Sequence, residues 1–263
     1  MIFQLIILVV LLSISTYISI KYKSEQKVAQ KQAPLILIPG TDANGNRFDS
    51  FMNELMKQVG KKDILKINVK TDGTTEWTSS LSKKSIDPFI VISFSDSSEK
   101  GVEKQAEWTD IAMKKAHQLY SFDFYNALGH SNGGLVWTIY LEKMTQKSTS
   151  QMKNLITLGT PYNYLDSNAN PYPNSSSLTE TDMLRRMINK KGKIPHSLRM
   201  ISIAGNYKNN GDGVVPLTSA LSSSKIYNNI SSYHEKIFDG INTQHNQLTE
   251  NEEIIEYVVH QLY

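Results

Sequence analysis

The sequence predicts a three-layer α/β fold: a mostly parallel sheet with helices on both faces and a small cap inserted between two late strands. Three observations carry this. The short runs 35–38 and 88–94 are apolar at nearly every position, as strands buried on both faces of a parallel sheet must be. These runs alternate with segments of helical period, which gives layers of helix on sheet. Finally, Gly129-His130-Ser131-Asn132-Gly133-Gly134 lies between a short apolar segment and a helical one, the strand, sharp turn and helix that a G-x-S-x-G serine requires. About six or seven sheet strands can be counted, which argues for an open sheet rather than a barrel.

Taken in order, residues 2–20 are almost entirely apolar and run into Lys21-Tyr22-Lys23. A bilayer span needs about 20 such residues. No basic side chain leads the run and no small-x-small cleavage pattern follows it. Residues 1–20 are therefore expected to be an uncleaved single-pass transmembrane anchor, with secretion after cleavage as the alternative. The expected location is the cell membrane, with the folded part extracellular. Lys21, Lys23, Lys27 and Lys31 would by charge alone prefer the cytoplasmic side. Residues 21–33 read as a polar linker suited to anionic headgroups, making the membrane an expected partner through this end.

The folded domain is expected over 34–263. Its first strand, 35–38, stops at Pro39-Gly40, and a loop leads to a helix over 48–59 with Phe48, Phe51, Met52, Leu55, Met56 and Val59 on one side. A strand over 64–69 follows. Residues 71–84 read as polar and turn-like, and 88–94 as a central strand. The spacing of Trp108, Ile111, Ala112, Lys115 and Leu119 predicts a helix over 102–119. The strand and turn around Ser131 come next, with a helix running on to about Met144.

Residues 145–151 read as a loop and 155–158 as a strand. Between 162 and 193 the composition shifts to Asn, Pro, Ser and Tyr, with a short helical stretch over 181–188. This excursion is too long for an ordinary connection, so it reads as a cap or lid. A strand over 198–204, a polar turn holding Asn210-Gly211-Asp212-Gly213, a strand within 226–239 and a closing helix over 252–263 complete the chain.

Composition narrows the function. The 263 residues suit one large domain or two small ones, and a hydrophobic content of 40% supports a sizeable core. The formal charge of +3 is small, arginine is confined to Arg47, Arg185, Arg186 and Arg199, and no basic stripe appears, which disfavours nucleic acid. The absence of cysteine excludes disulfides, thiolate metal sites and a cysteine nucleophile.

A serine hydroxyl needs a base to take its proton, and the base needs a third group to hold its tautomer. The chain offers Ser131, Asp212 and His245 in the order serine, acid, histidine, each in a loop following a sheet element. His234 is the rival base, but its segment reads as strand. His130 is expected to pack or hydrogen-bond beside the nucleophile. His117 and His260 fall on helices, and His196 could line a pocket. Asp166 and Asp182 fall in the excursion. The backbone N–H groups of Asn132 and Thr41 are the expected donors to an oxyanion. The expected reaction is two-step acyl transfer from an ester or acylated lipid, needing no metal or organic cofactor. The same residues could serve an amide or thioester, or the scaffold could bind without catalysis.

Four motifs also carry a resemblance: Ile38-Pro-Gly-Thr-Asp-Ala-Asn-Gly-Asn-Arg-Phe48, Gly129-His-Ser-Asn-Gly-Gly134, Gly211-Asp-Gly-Val-Val-Pro216 and His245-Asn-Gln-Leu248. Over residues 34–263 the chain resembles the DUF915-type α/β hydrolases. The resemblance implies an α/β-hydrolase fold, an exported or cell-surface protein of Gram-positive bacteria, a lipase-like or esterase-like activity, and Ser131, Asp212 and His245 as its catalytic set. The chain departs from the family pattern at Pro39, where histidine is common, at Asp42 and Ala43, where glycine is, and at Asn132, where methionine often stands. Each change leaves a backbone donor in place.

Overall fold

The computed structural model describes residue 15 and residues 33–144, 150–163, 179–209 and 211–263. Among these, eight strands form one sheet, numbered in chain order: β1 (Leu35–Ile38), β2 (Ile64–Val69), β3 (Thr75–Ser79), β4 (Phe89–Phe94), β5 (Phe124–His130), β6 (Gln151–Leu158), β7 (Arg199–Asn206) and β8 (Ser232–Asp239). Their spatial order is β3-β2-β4-β1-β5-β6-β7-β8. Every pairing is parallel except that of β3 with β2. The α/β class and the mostly parallel sheet are as the sequence predicts.

The helices are α1 (Asp49–Val59), α2 (Val102–Leu119), α3 (Asn132–Met144), α4 (Asp182–Lys190), α5 (Leu217–Leu221), α6 (Ser224–Tyr227) and α7 (Glu252–Leu262). The two faces of β1 show how the layers form. Ile36 and Ile38 join one core with Trp108, Ala112, Leu135 and Trp137 from α2 and α3. Leu35 and Leu37 join the other, with Phe51 and Leu55 of α1 and Ile254, Ile255 and Val258 of α7. All four β1 side chains are fully buried, each stabilising the fold by about 1.5–3 kcal/mol. Asn251 caps α7 by accepting the Ile254 N–H.

Three differences from the sequence reading have physical causes. β3 lies where a turn is expected. It is an edge strand with most of its side chains exposed, so it needs no apolar pattern. β6 begins at Gln151, four residues early, because its first positions alternate between exposed and buried and so lack the continuous apolar run that marks 155–158. β8 starts at Ser232, placing Tyr233 and His234 near its beginning rather than its end.

Among the described residues no helix is long and apolar enough to cross a membrane. The longest of them, α2, carries Glu103, Lys104, Glu107, Asp110, Lys114 and Lys115, as befits a helix with one face on a core and one in water. The expected transmembrane anchor, the membrane as a partner and the cell-membrane location are corrected accordingly. The segment 1–20 that prompted them lies outside the described residues, Ser15 excepted.

Most of the cap segment, 164–178, also lies outside the described residues. Its flanks are joined by one side chain. Asn163 donates from Nδ2 to the Thr179 carbonyl at 3.1 Å and accepts the Thr181 N–H at 2.9 Å. Thr181 then caps α4, which buries Leu184 and Met187 in the α2–α3 core.

Candidate active site

Ser131 stands between β5 and α3 with φ of +55°, in the left-handed region that costs an L-residue about 1–2 kcal/mol. Three hydrogen bonds hold it there. Its N–H donates to the Leu158 carbonyl at 2.8 Å, and its own carbonyl accepts from the Thr160 hydroxyl and the Gly134 N–H, each at 3.0 Å. Strain of this kind persists only where surrounding bonds over-determine it, and it concentrates at functional sites. The crossing of α3 over β1 is equally tight: a Cβ on Gly133 would stand 2.1 Å from the Ile38 carbonyl oxygen.

Asp212 and His245 come from loops after β7 and β8, on the same sheet edge as Ser131. Asp212 is 2% exposed and His245 8%. One oxygen of the Asp212 carboxylate accepts the Val214 and Val215 N–H groups at 3.0 and 2.6 Å; the other lies 2.7 Å from His245 Nδ1. An ionised carboxylate can only accept, so Nδ1 carries the hydrogen and Nε2 is left as the basic nitrogen of the neutral ring. The His245 N–H also donates to the Asp212 carbonyl at 2.8 Å, fixing the two backbones together. Gly159, at φ of +54°, passes directly beneath this pair and follows Leu158, the residue that accepts from Ser131.

Sequence reasoning foresaw a packing or hydrogen-bonding His130 but not its partner. Its Nε2 lies 2.9 Å from the His245 carbonyl, with the two rings 4.8 Å apart. Burial, then the nearby His245, depress its pKa to about 3, so the ring is neutral and donates that hydrogen bond. The sign of the linkage follows. A histidine whose folded pKa lies below its ordinary value of 6.5 gives its full stability above pH 6.5, and this is lost as pH falls toward 3. His130→Gln keeps a donor for the carbonyl but takes no proton. It is expected to remove on the order of 4 kcal/mol of the acid destabilisation over that window, read by denaturant unfolding at stepped pH. An unchanged pH slope would refute the assignment.

Asn132 opens α3, where helical N–H groups lack intrahelical partners. Its side-chain amide donates to the Thr41 hydroxyl, joining the two expected oxyanion donors across the turn. Arg47, from the same loop as Thr41, donates to the Asn246 carbonyl at 2.7 Å and so ties that loop to the His245 loop. The remaining histidines stay apart. His234, His196 and His260 are exposed, and His117 stacks on Phe122. No group of three or more His, Asp or Glu among the described residues is arranged to hold a metal ion.

Comparison with known proteins agrees with this architecture. Residues 22–263 match a family described as "Alpha/beta hydrolase of unknown function (DUF915)". A proposed cell surface hydrolase from Lactobacillus plantarum WCFS1 is 34% identical, with a TM-score of 0.76 over 88% of this chain and 92% of that one. A gene product of Listeria innocua is 28% identical, with a TM-score of 0.77 over 86% and 92%. An esterase of Pyrococcus furiosus, 14% identical with a TM-score of 0.51 over 89% and 83%, shares the fold alone. No curated protein matches the chain. With its hydrolase fold and its match over nearly the whole length, the chain belongs to the DUF915 family of α/β hydrolases.

Proposed function

We propose that the protein is a serine hydrolase of carboxylic esters, with Ser131 as nucleophile, His245 as base and Asp212 as the group that orients it. The observation that carries this reading is the buried Asp212–His245 pair at 2.7 Å, set on the same sheet edge as a serine in a strained strand–helix turn. Ser131 Oγ attacks the ester carbonyl as His245 Nε2 takes its proton. The N–H groups of Thr41 and Asn132 meet the oxyanion. His245 returns the proton to the leaving alcohol, then activates water to release the acid. Residues 34–263 form the catalytic unit, and 162–193 its cap.

The test is hydrolysis of short and long p-nitrophenyl esters by the full chain beside Ser131→Ala. Loss of the hydroxyl is expected to lower kcat by about 10⁴ or more, with the thermal melt unchanged. Equal rates for the two proteins would reject the reading.

A further inference from the structure

Thr41 is held beside the candidate nucleophile from three directions. The residue before it, Gly40, lies against Ser131: a Cβ there would stand 2.7 Å from Ser131 Cβ and 3.2 Å from Ser131 Oγ. The residue after it, Asp42, turns the chain at φ of +54° and donates its N–H to the Ser97 carbonyl at 3.2 Å. From the third side, Asn132 Nδ2 donates to Thr41 Oγ1 at 2.5 Å. Asn132 is 2% exposed, follows Ser131 directly and opens α3, so its amide is carried on a rigid element.

The direction of this last bond decides what the Thr41 hydroxyl can do. A hydroxyl has one hydrogen to give and two lone pairs. The Asn132 NH₂ occupies one lone pair and has nothing with which to accept the hydrogen, which therefore turns away from it. Among the described residues neither this hydrogen nor the Thr41 N–H meets an acceptor. Thr41 thus brings two unspent donors to one half-buried position, next to the glycine that touches Ser131 Oγ. The neutral carbonyl of an ester gains little from such donors. The oxyanion of a tetrahedral intermediate gains far more, because its charge is met by donors already in place. Accepting from the amide also polarises the hydroxyl and strengthens it as a donor.

Resting on the serine-hydrolase reading above, we infer that the Thr41 side chain is itself catalytic: its hydroxyl gives the oxyanion a third hydrogen bond, beside those from the Thr41 and Asn132 N–H groups, and the Asn132 amide is the positioning residue that aims it. In the step concerned, the bond from Ser131 Oγ to the acyl carbon forms as the carbonyl π pair moves onto oxygen, and the Ser131 proton passes to His245 Nε2. The Thr41 hydroxyl keeps its own proton throughout. When the pair returns to re-form the carbonyl, the C–O bond to the alcohol breaks and the alcohol takes the proton from His245. The same three donors meet the second oxyanion, formed when water attacks the acyl group.

Thr41→Val keeps the shape and the backbone N–H and removes the hydroxyl, and Thr41→Ser returns it. With p-nitrophenyl butyrate and the full chain, Thr41→Val is expected to lower kcat by about 10²-fold while KM stays within about twofold, and Thr41→Ser to recover most of the loss. Thr41→Ala, smaller and equally without a hydroxyl, repeats the measurement should valine crowd the loop. Asn132→Leu is expected to lower kcat about tenfold in the parent and not at all in Thr41→Val, since the amide acts through the hydroxyl. Inactivation by diethyl p-nitrophenyl phosphate, followed as mass gained on Ser131, reads the same donors without an ester, and Thr41→Val is expected to slow it about tenfold or more. Parent turnover in Thr41→Val and Thr41→Ala, a loss that Thr41→Ser does not recover, or an Asn132→Leu loss that persists in full in Thr41→Val overturns the inference. Ser131→Ala separates that failure from failure of the hydrolase reading. If Ser131→Ala hydrolyses the ester at the parent rate, both fall together, because no oxyanion forms beside Thr41. If Ser131→Ala is inactive and Thr41→Val fully active, the reading stands and the third donor alone is rejected.

Discussion

Asp212→Asn is expected to lower kcat for ester hydrolysis by about 10⁴ while leaving the protein folded. The argument lies in which way the amide must face. One oxygen of Asp212 accepts the N–H groups of both Val214 and Val215. An asparagine would keep its carbonyl oxygen on those two donors, since an NH₂ there would meet them as donor against donor. Its NH₂ would therefore face His245 Nδ1, which must then accept. The hydrogen moves to Nε2, and the ring can no longer take a proton from Ser131. Asp212→Ala provides the contrast, because it strands the buried Val215 N–H at about 1–3 kcal/mol and also frees that of the exposed Val214. Turnover and thermal melts of the two variants separate the chemical from the structural effect. Wild-type kcat in Asp212→Asn would remove Asp212 from the mechanism.

Gly159→Ala is expected to destabilise the fold by roughly 2–5 kcal/mol and to depress turnover with it. Two costs add. The backbone at φ of +54° penalises any Cβ by about 1–2 kcal/mol, and crowding a packed site adds about 1–3. The new methyl would stand 2.6 Å from Asp212 Oδ2, 2.7 Å from Leu248 Cδ1 and 3.2 Å from His245 Nδ1. Neither Asp212 Oδ2 nor His245 Nδ1 can retreat without disturbing the acid–histidine contact that joins them. Gly192→Ala is the control: its methyl meets nothing within 4 Å, so a change within about 0.5 kcal/mol is expected. Denaturant unfolding of both variants decides the matter, and equal stabilities would rule the crowding argument out.

Much of the fold is legible in the sequence because buried strands must be apolar on both faces. Leu35–Ile38 and Phe89–Phe94 announce themselves this way. Edge strands obey no such rule. Thr75–Ser79 pairs through its backbone along one side and meets water with most of its side chains, so its pattern is that of a loop. The candidate site divides similarly. Ser131, Asp212 and His245 can be picked out because serine chemistry demands those residue types in loops after strands. The support around them cannot, because it exists only once the sheet is assembled. Thr160 on the Ser131 carbonyl, His130 on the His245 carbonyl and Gly159 beneath the pair are contacts between different strand ends.

The Asn163 bridge has a consequence for how this family can diversify. Because one amide staples the Thr179 and Thr181 backbones to Asn163, the two ends of the intervening cassette meet at a closed ring. The entropy of closing such a ring grows only with the logarithm of its length, about 0.6 kcal/mol per doubling. Descendants of this scaffold can thus lengthen, shorten or exchange the cassette at almost no thermodynamic cost, while the sheet edge bearing Ser131 is inherited intact.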